Sequence, residues 1–231
     1  VLLADRLHTV EERICAACRR AGRPRSDVTL VAVTKSVAPA VAAQIAALGV
    51  HDLGENRPQQ LWRKAVALPG VRWHLIGHLQ RNKIDRTLPL VQRIHAVDSV
   101  RLLEALEQAA GRRGQSLEVL LECNASGEAT KQGFAMAQVP ALVPRLATCR
   151  HVHVTGLMTM AALQPDPERC RPAFAALRQL RDHLRLQFPP PHRLEHLSMG
   201  MSNDFEVAID EGATLIRLGT VLFQGLEEKP S

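Results

Sequence analysis

The sequence predicts an α/β fold: a single TIM-type (β/α)8 barrel over residues 1–231, with an extra helix in front. Three observations carry this. Short apolar runs alternate eight times with amphipathic or alanine-rich stretches, and strands alternating with helices imply parallel pairing. The length of 231 residues is close to the roughly 250 typical of that barrel. Polar residues and glycines gather just behind the strands, where such barrels keep their chemistry. An open doubly wound sheet would want a glycine-rich nucleotide fingerprint, and neither G-x-G-x-x-G nor G-x-x-x-x-G-K-[ST] occurs.

Residues 2–21 set Leu3, Leu7, Val10 and Ile14 on one helical face, ended by Gly22 and Pro24. The first strand, Leu30-Val31-Ala32-Val33, is apolar without alternation, as strands buried on both faces are, and it runs on to Thr34-Lys35. Pro39 to Leu48 reads as a helix closed by Gly49. The second strand, Val50 to Leu53, ends at Gly54-Glu55-Asn56, and a helix follows through Leu61, Trp62 and Ala65. The third, Arg72 to Ile76, opens into Gly77-His78-Leu79-Gln80, with Asn82 and Lys83 starting the next helix. The fourth, Arg93 to Val97, leads to Asp98 and to Ser99, a suitable cap for a helix carrying Leu102, Leu103 and Leu106. The fifth, Leu117 to Glu122, opens into a polar loop, Asn124 to Gly133, before a helix from Val139 to Ala147. The sixth, His151 to Thr155, ends in Gly156-Leu157-Met158 and precedes a long helix bearing Phe174, Leu177, Leu180 and Leu184. The seventh, Leu194 to Leu197, leads to Ser198-Met199-Gly200-Met201-Ser202 and a helix from Asp204 to Asp210. The eighth, Thr214 to Leu218, ends in Gly219-Thr220.

A formal charge of +6 without a basic run, and only five Phe and two Trp, argue against nucleic acid as a partner. No stretch of eighteen apolar residues and no signal-peptide pattern appear, so a cytoplasmic monomer away from membranes is expected. Cys15 and Cys18 form a C-x-x-C, but inside an amphipathic helix pattern rather than after a strand, which reads as helix packing. Cys123, Cys149 and Cys170 read as free thiols. His151 and His153 point to one face of a strand without a third ligand, so no metal site is expected.

Lys35 is the first chemical candidate. A lysine where a buried strand opens into a loop can be held in an apolar mouth as an amine reactive toward carbonyls. The alternative is a head group carried out to water. Ser198-x-Gly-x-Ser202 and Gly219-Thr220 suit a phosphate: glycines let backbone amides approach the oxygens and hydroxyls add donors, though capped tight turns would read the same in isolation. With Arg217 on the last strand, these residues suit a phosphorylated carbonyl compound, and pyridoxal 5′-phosphate fits because its aldehyde can condense with the amine while the cradle holds the other end.

The motifs Val31-Ala32-Val33-Thr34-Lys35, Gly54-Glu55-Asn56, Trp73-His74-Leu75-Ile76-Gly77-His78-Leu79-Gln80, Ser126-Gly127-Glu128, Gly156-Leu157-Met158-Thr159, Leu197-Ser198-Met199-Gly200-Met201-Ser202 and Arg217-Leu218-Gly219-Thr220 run in this order over nearly the whole chain. In them the sequence resembles the pyridoxal phosphate homeostasis protein family, single-domain relatives of the alanine racemase barrel. The resemblance implies a protein that holds and supplies pyridoxal 5′-phosphate in vitamin B6 homeostasis, with the cofactor as a Schiff base on Lys35. Ser202, Gly219 and Thr220, helped by Ser198, would hold the phosphate; Arg217 would face the pyridine nitrogen and Asn56 would lie beside the ring. Apoenzymes that use the cofactor would be its recipients. Family members commonly have tyrosine after Glu-Asn, where Arg57-Pro58 stands here, and Ser-Lys-Thr-Lys around the lysine, where Val33-Thr34-Lys35-Ser36 stands.

Two other classes stay open. One is an amino-acid racemase or decarboxylase using the same cofactor; the other is a phosphosugar-binding barrel without it. The racemases take their opposite acid–base from a tyrosine on a second domain. This chain ends soon after its eighth strand and contains no tyrosine, so an enzyme with robust turnover is not expected.

Overall fold

The computed structural model describes residues 2–125 and 132–227. Eight parallel strands close into a barrel: β1 (Thr29–Val33), β2 (Asp52–Glu55), β3 (Arg72–Leu75), β4 (Arg93–Val97), β5 (Leu117–Asn124), β6 (Val152–Met158), β7 (His196–Ser198) and β8 (Leu215–Leu218). They pair in chain order, and β8 returns to β1 with Thr29 opposite Leu215 and Ala32 opposite Leu218. A two-residue strand, Phe134–Ala135, lies beside the end of β5. The fold is thus the expected (β/α)8 barrel.

Alternation along each strand divides the apolar residues between two cores. Leu30 and Ala32 join the large core beneath the helices, whereas Val31 belongs to a separate cluster with Ala96, Leu120, Met158 and Leu215. Residues from five strands meet in that cluster only inside the ring. The β4–β5 register shifts between Ile94 and Val97, an irregularity that adds a residue to β4. It lets His95 face the lumen although its neighbour Ala96 also does.

The outer layer holds α1 (Leu3–Arg20), α2 (Pro39–Ala47), α3 (Pro58–Ala67), α4 (Ile84–Thr87), α5 (Val100–Arg113), α6 (Val143–Leu146), α7 (Arg171–Leu184), α8 (Phe205–Asp210) and α9 (Thr220–Phe223). The extra helix α1 packs on α8 and α9, where Arg13 makes a paired bond to Glu206 at 2.9 and 3.0 Å. Ser99 caps α5 by accepting from the Leu102 amide at 3.3 Å. Two expected helices come out broken. Met136–Leu142 is a 3-10 turn leading into α6, and α4 is flanked by 3-10 turns at Arg81–Lys83 and Leu88–Leu90. Pro140, Pro144 and Pro89 each remove an amide donor, so regular α-helix is limited to short pieces beside them.

Several strand limits also move. β6 runs on to Met158, and β7 begins at His196 rather than Leu194. His151 stands before β6, beside Glu107, so the expected histidine pair on one strand face is not formed. Cys15 is half-buried and Cys18 buried on α1, and both are free thiols. Among the described residues no helix is long and apolar enough to cross a membrane. Nor do three or more His, Cys, Asp or Glu side chains gather as a metal site there.

Candidate functional site at the barrel mouth

The carboxyl ends of the strands bring Lys35, Asn56, Glu122, Arg217 and the turns after β7 and β8 to one end of the barrel. Lys35 lies in the turn two residues beyond Val33 and is exposed. The strand stops at Val33, so of the two readings of this lysine the exposed one describes the chain on its own, with Lys35 in a turn open to solvent at the rim. A cavity of about 410 Å3 opens beside it, lined by Ser36, Glu55, Asn56, Arg57 and Gln60 as well. Arg57, which stands where members of the resembled family commonly have tyrosine, forms part of that rim.

The buried lysine is Lys64, which composition does not mark out. Its ammonium donates to Glu55 Oε1 at 2.7 Å and to the Thr34 carbonyl at 2.6 Å, while the Thr34 hydroxyl donates to Glu55 Oε1 at 2.6 Å. Glu55 Oε2 is buried with no hydrogen-bond partner. Lys64 on α3 falls one helical turn after Leu61, on the apolar face, and that spacing was the available signal.

Asn56 follows β2 and is exposed at the rim. Its backbone and side-chain oxygens stand so close to Gly77 that a Cβ there would collide with both. Beyond Gly77, His78 Nδ1 lies 2.7 Å from Asp98 Oδ2.

After β7, Gly200 turns at φ +93°, a left-handed conformation that favours glycine, and a Cβ there would strike Ala208 and Phe205. The turn presents Ser202, whose hydroxyl accepts from the amides of Gly219 at 3.2 Å and Val221 at 3.3 Å. Two backbone donors thus converge on one oxygen where β8 meets α9, the arrangement an anion's oxygen would use. Thr220 stands exposed between those amides. These groups fit a phosphate.

Ser198 sits deeper and is fully buried. Its hydroxyl lies 2.5 Å from Arg217 Nη1 and 2.9 Å from His95 Nδ1. Arg217 Nη2 donates to the Thr159 carbonyl at 2.9 Å, so the guanidinium is held by neutral oxygens and not by Glu195, which pairs with Arg193 at the surface. Burial lowers the Arg217 pKa to about 10 against the pull of Asp204 and Glu122.

Glu122 was missed by sequence reading. It shares the parity of Leu120 on β5 and so faces the lumen, 4% exposed. Burial, and then the charge of Asp98, raise its pKa to about 6. The Ser126-Gly127-Glu128 motif lies outside the described residues.

This architecture is that of the barrel half of alanine racemases: the family model for the alanine racemase N-terminal domain matches residues 6–227. A pyridoxal phosphate homeostasis protein of Aquifex aeolicus is 41% identical over 221 residues, covering 95% of this chain and 96% of that one. The structure of PipY from Synechococcus elongatus with PLP bound superposes with a TM-score of 0.82 at 35% identity, covering 96% of this chain and all of that one. A structure of a protein from Bifidobacterium adolescentis reaches a TM-score of 0.90 at 38% identity, covering 96% of this chain and 94% of that one. The chain belongs to the pyridoxal phosphate homeostasis protein family.

Proposed function

We propose that this barrel binds pyridoxal 5′-phosphate at its mouth, as a Schiff base on Lys35, and supplies it to apoenzymes that need it. The observation that carries this reading is the pair of amides, Gly219 and Val221, converging on the Ser202 hydroxyl in the same mouth as Lys35. The PLP-bound relative, similar over 96% of this chain, supports it. The cofactor's contribution is an aldehyde that a primary amine can capture and release. Lys35 supplies that amine from an exposed turn, open to exchange with other amines. Ser202, Gly219 and Thr220 hold the phosphate, and Asn56 flanks the ring. Arg217 presents donors alone to the ring nitrogen and has no lone pair with which to share a proton.

Mixing the purified protein with pyridoxal 5′-phosphate tests the reading. A near-visible absorption band should form, and borohydride should fix one adduct that mass spectrometry places on Lys35. Lys35→Ala should lose the adduct and keep its unfolding transition, since an exposed turn lysine adds little to the core. An adduct on Lys83 would overturn the assignment. A protein that stays colourless would favour the phosphosugar-binding barrel.

A further inference from the structure

Five side chains form an unbroken hydrogen-bonded line from the start of β2 toward the mouth of the barrel. Asp52 Oδ1 lies 2.9 Å from His74 Nε2, His74 Nδ1 2.9 Å from His95 Nε2, and His95 Nδ1 2.9 Å from Ser198 Oγ. Ser198 Oγ is 2.5 Å from Arg217 Nη1. The three middle side chains are at most 1% exposed, so bulk water offers them no other partner.

The two ends of this line have no freedom. A guanidinium can only donate and an ionised carboxylate can only accept. Burial pushes the Asp52 carboxyl up, but the bonds from His74 and Arg72 outweigh it and hold the group well below the usual range. Burial also lowers the basicity of both histidines, which are then neutral, with one donor and one acceptor nitrogen each. One proton arrangement satisfies every link. His74 donates from Nε2 to Asp52 and accepts at Nδ1; His95 donates from Nε2 and accepts at Nδ1; Ser198 donates to His95 and accepts from Arg217.

We propose that Asp52 is a positioning residue for Arg217: it sets the tautomers of His74 and His95, which hold Ser198 as an acceptor for the guanidinium and keep its hydroxyl proton turned away from the mouth. Arg217 is then held at two points, Ser198 and the Thr159 carbonyl, which fixes the plane of its fork. Ser198 serves that arginine rather than a phosphate oxygen. This last clause rests on the cofactor reading of the mouth; the tautomer assignment does not.

The test uses cofactor-free protein labelled uniformly with 15N. Long-range proton–nitrogen spectra should show His74 and His95 each as a single Nε2–H tautomer, and Arg217 Nη protons that exchange slowly. A ring found as the Nδ1–H tautomer or as imidazolium would overturn the proposal without any variant. Asp52→Asn, which removes the charge that biases the line, should give His95 a mixed or Nδ1–H signal and broaden the Arg217 resonances. A folded Asp52→Asn protein with wild-type signals would refute the role of Asp52. Adding inorganic phosphate should shift the Gly219 and Val221 amides and leave His95 Nδ1 in place. A phosphate-induced shift of His95 Nδ1 would return Ser198 to the anion site. If no amide responds, the phosphate end of the cofactor reading fails, together with the clause that rests on it, while the tautomers still decide the rest.

Discussion

Lys64 Nζ lies 2.7 Å from Glu55 Oε1, and both side chains are sealed from solvent between α3 and the ends of β1 and β2. Glu55 precedes Asn56 and Thr34 precedes Lys35, so this bridge ties together the two strand ends that carry the rim. Breaking a buried pair leaves a charge without compensation, at a cost of about 3–5 kcal/mol. Lys64→Met should therefore lower the urea midpoint sharply, and Lys64→Met with Glu55→Leu should recover much of the loss. A single variant within about 1 kcal/mol of wild type would contradict the pairing.

Glu122 makes stability depend on pH. Its folded pKa of about 6 stands above the ordinary 4.5, so the folded chain holds more protons than the unfolded one between those values. The stabilisation from its protonated form is complete below pH 4.5 and is lost as pH rises through 6. Glu122→Gln should thus raise stability by about 1–2 kcal/mol at pH 8 and leave it unchanged near pH 4. Equal unfolding midpoints at pH 8 would count against a buried, lumen-facing carboxylate.

Gly77 and Gly111 offer a paired comparison. A Cβ at Gly77 would run into the Asn56 oxygens, so Gly77→Ala should cost about 1–3 kcal/mol and weaken capture of pyridoxal 5′-phosphate by displacing Asn56. A Cβ at Gly111, inside α5, would meet the His151 ring first, at 3.6 Å, an ordinary van der Waals contact. Gly111→Ala should be stabilising by about 0.5–1 kcal/mol. Thermal unfolding of both variants, with a cofactor titration of the first, checks the contrast.

Arg217 bears on the enzyme alternative. In the proposed arrangement, with Arg217 facing the ring nitrogen, a donor-only cation would disfavour protonating it, which would weaken the ring as an electron sink while leaving imine exchange at the aldehyde untouched. The protein should not racemise or decarboxylate amino acids at the roughly 1–1000 per second usual for enzymes. Chiral chromatography of amino-acid mixtures measures this. Turnover in that range would restore the racemase or decarboxylase reading.

The barrel itself was legible in the sequence. Leu30 to Val33 has no polar position because both strand faces are buried, and eight such runs between helix patterns leave few topologies. The turns after β7 and β8 were legible for a similar reason: the residues from Gly200 to Ser202 and at Gly219 and Thr220 act through backbone shape, which neighbouring residues set locally. Burial of individual charged groups was not. Lys35 and Lys64 are the same residue type, and only the packing of α3 against β1 and β2 puts one in solvent and seals the other beside Glu55. His95 and Ser198 are 103 residues apart in sequence, with nothing in either strand to name the other. Their bond exists because closing the ring, with an extra residue in β4, sets two lumen-facing side chains opposite each other. Side-chain partnership across a barrel is a property of closure and register, and those belong to the tertiary structure.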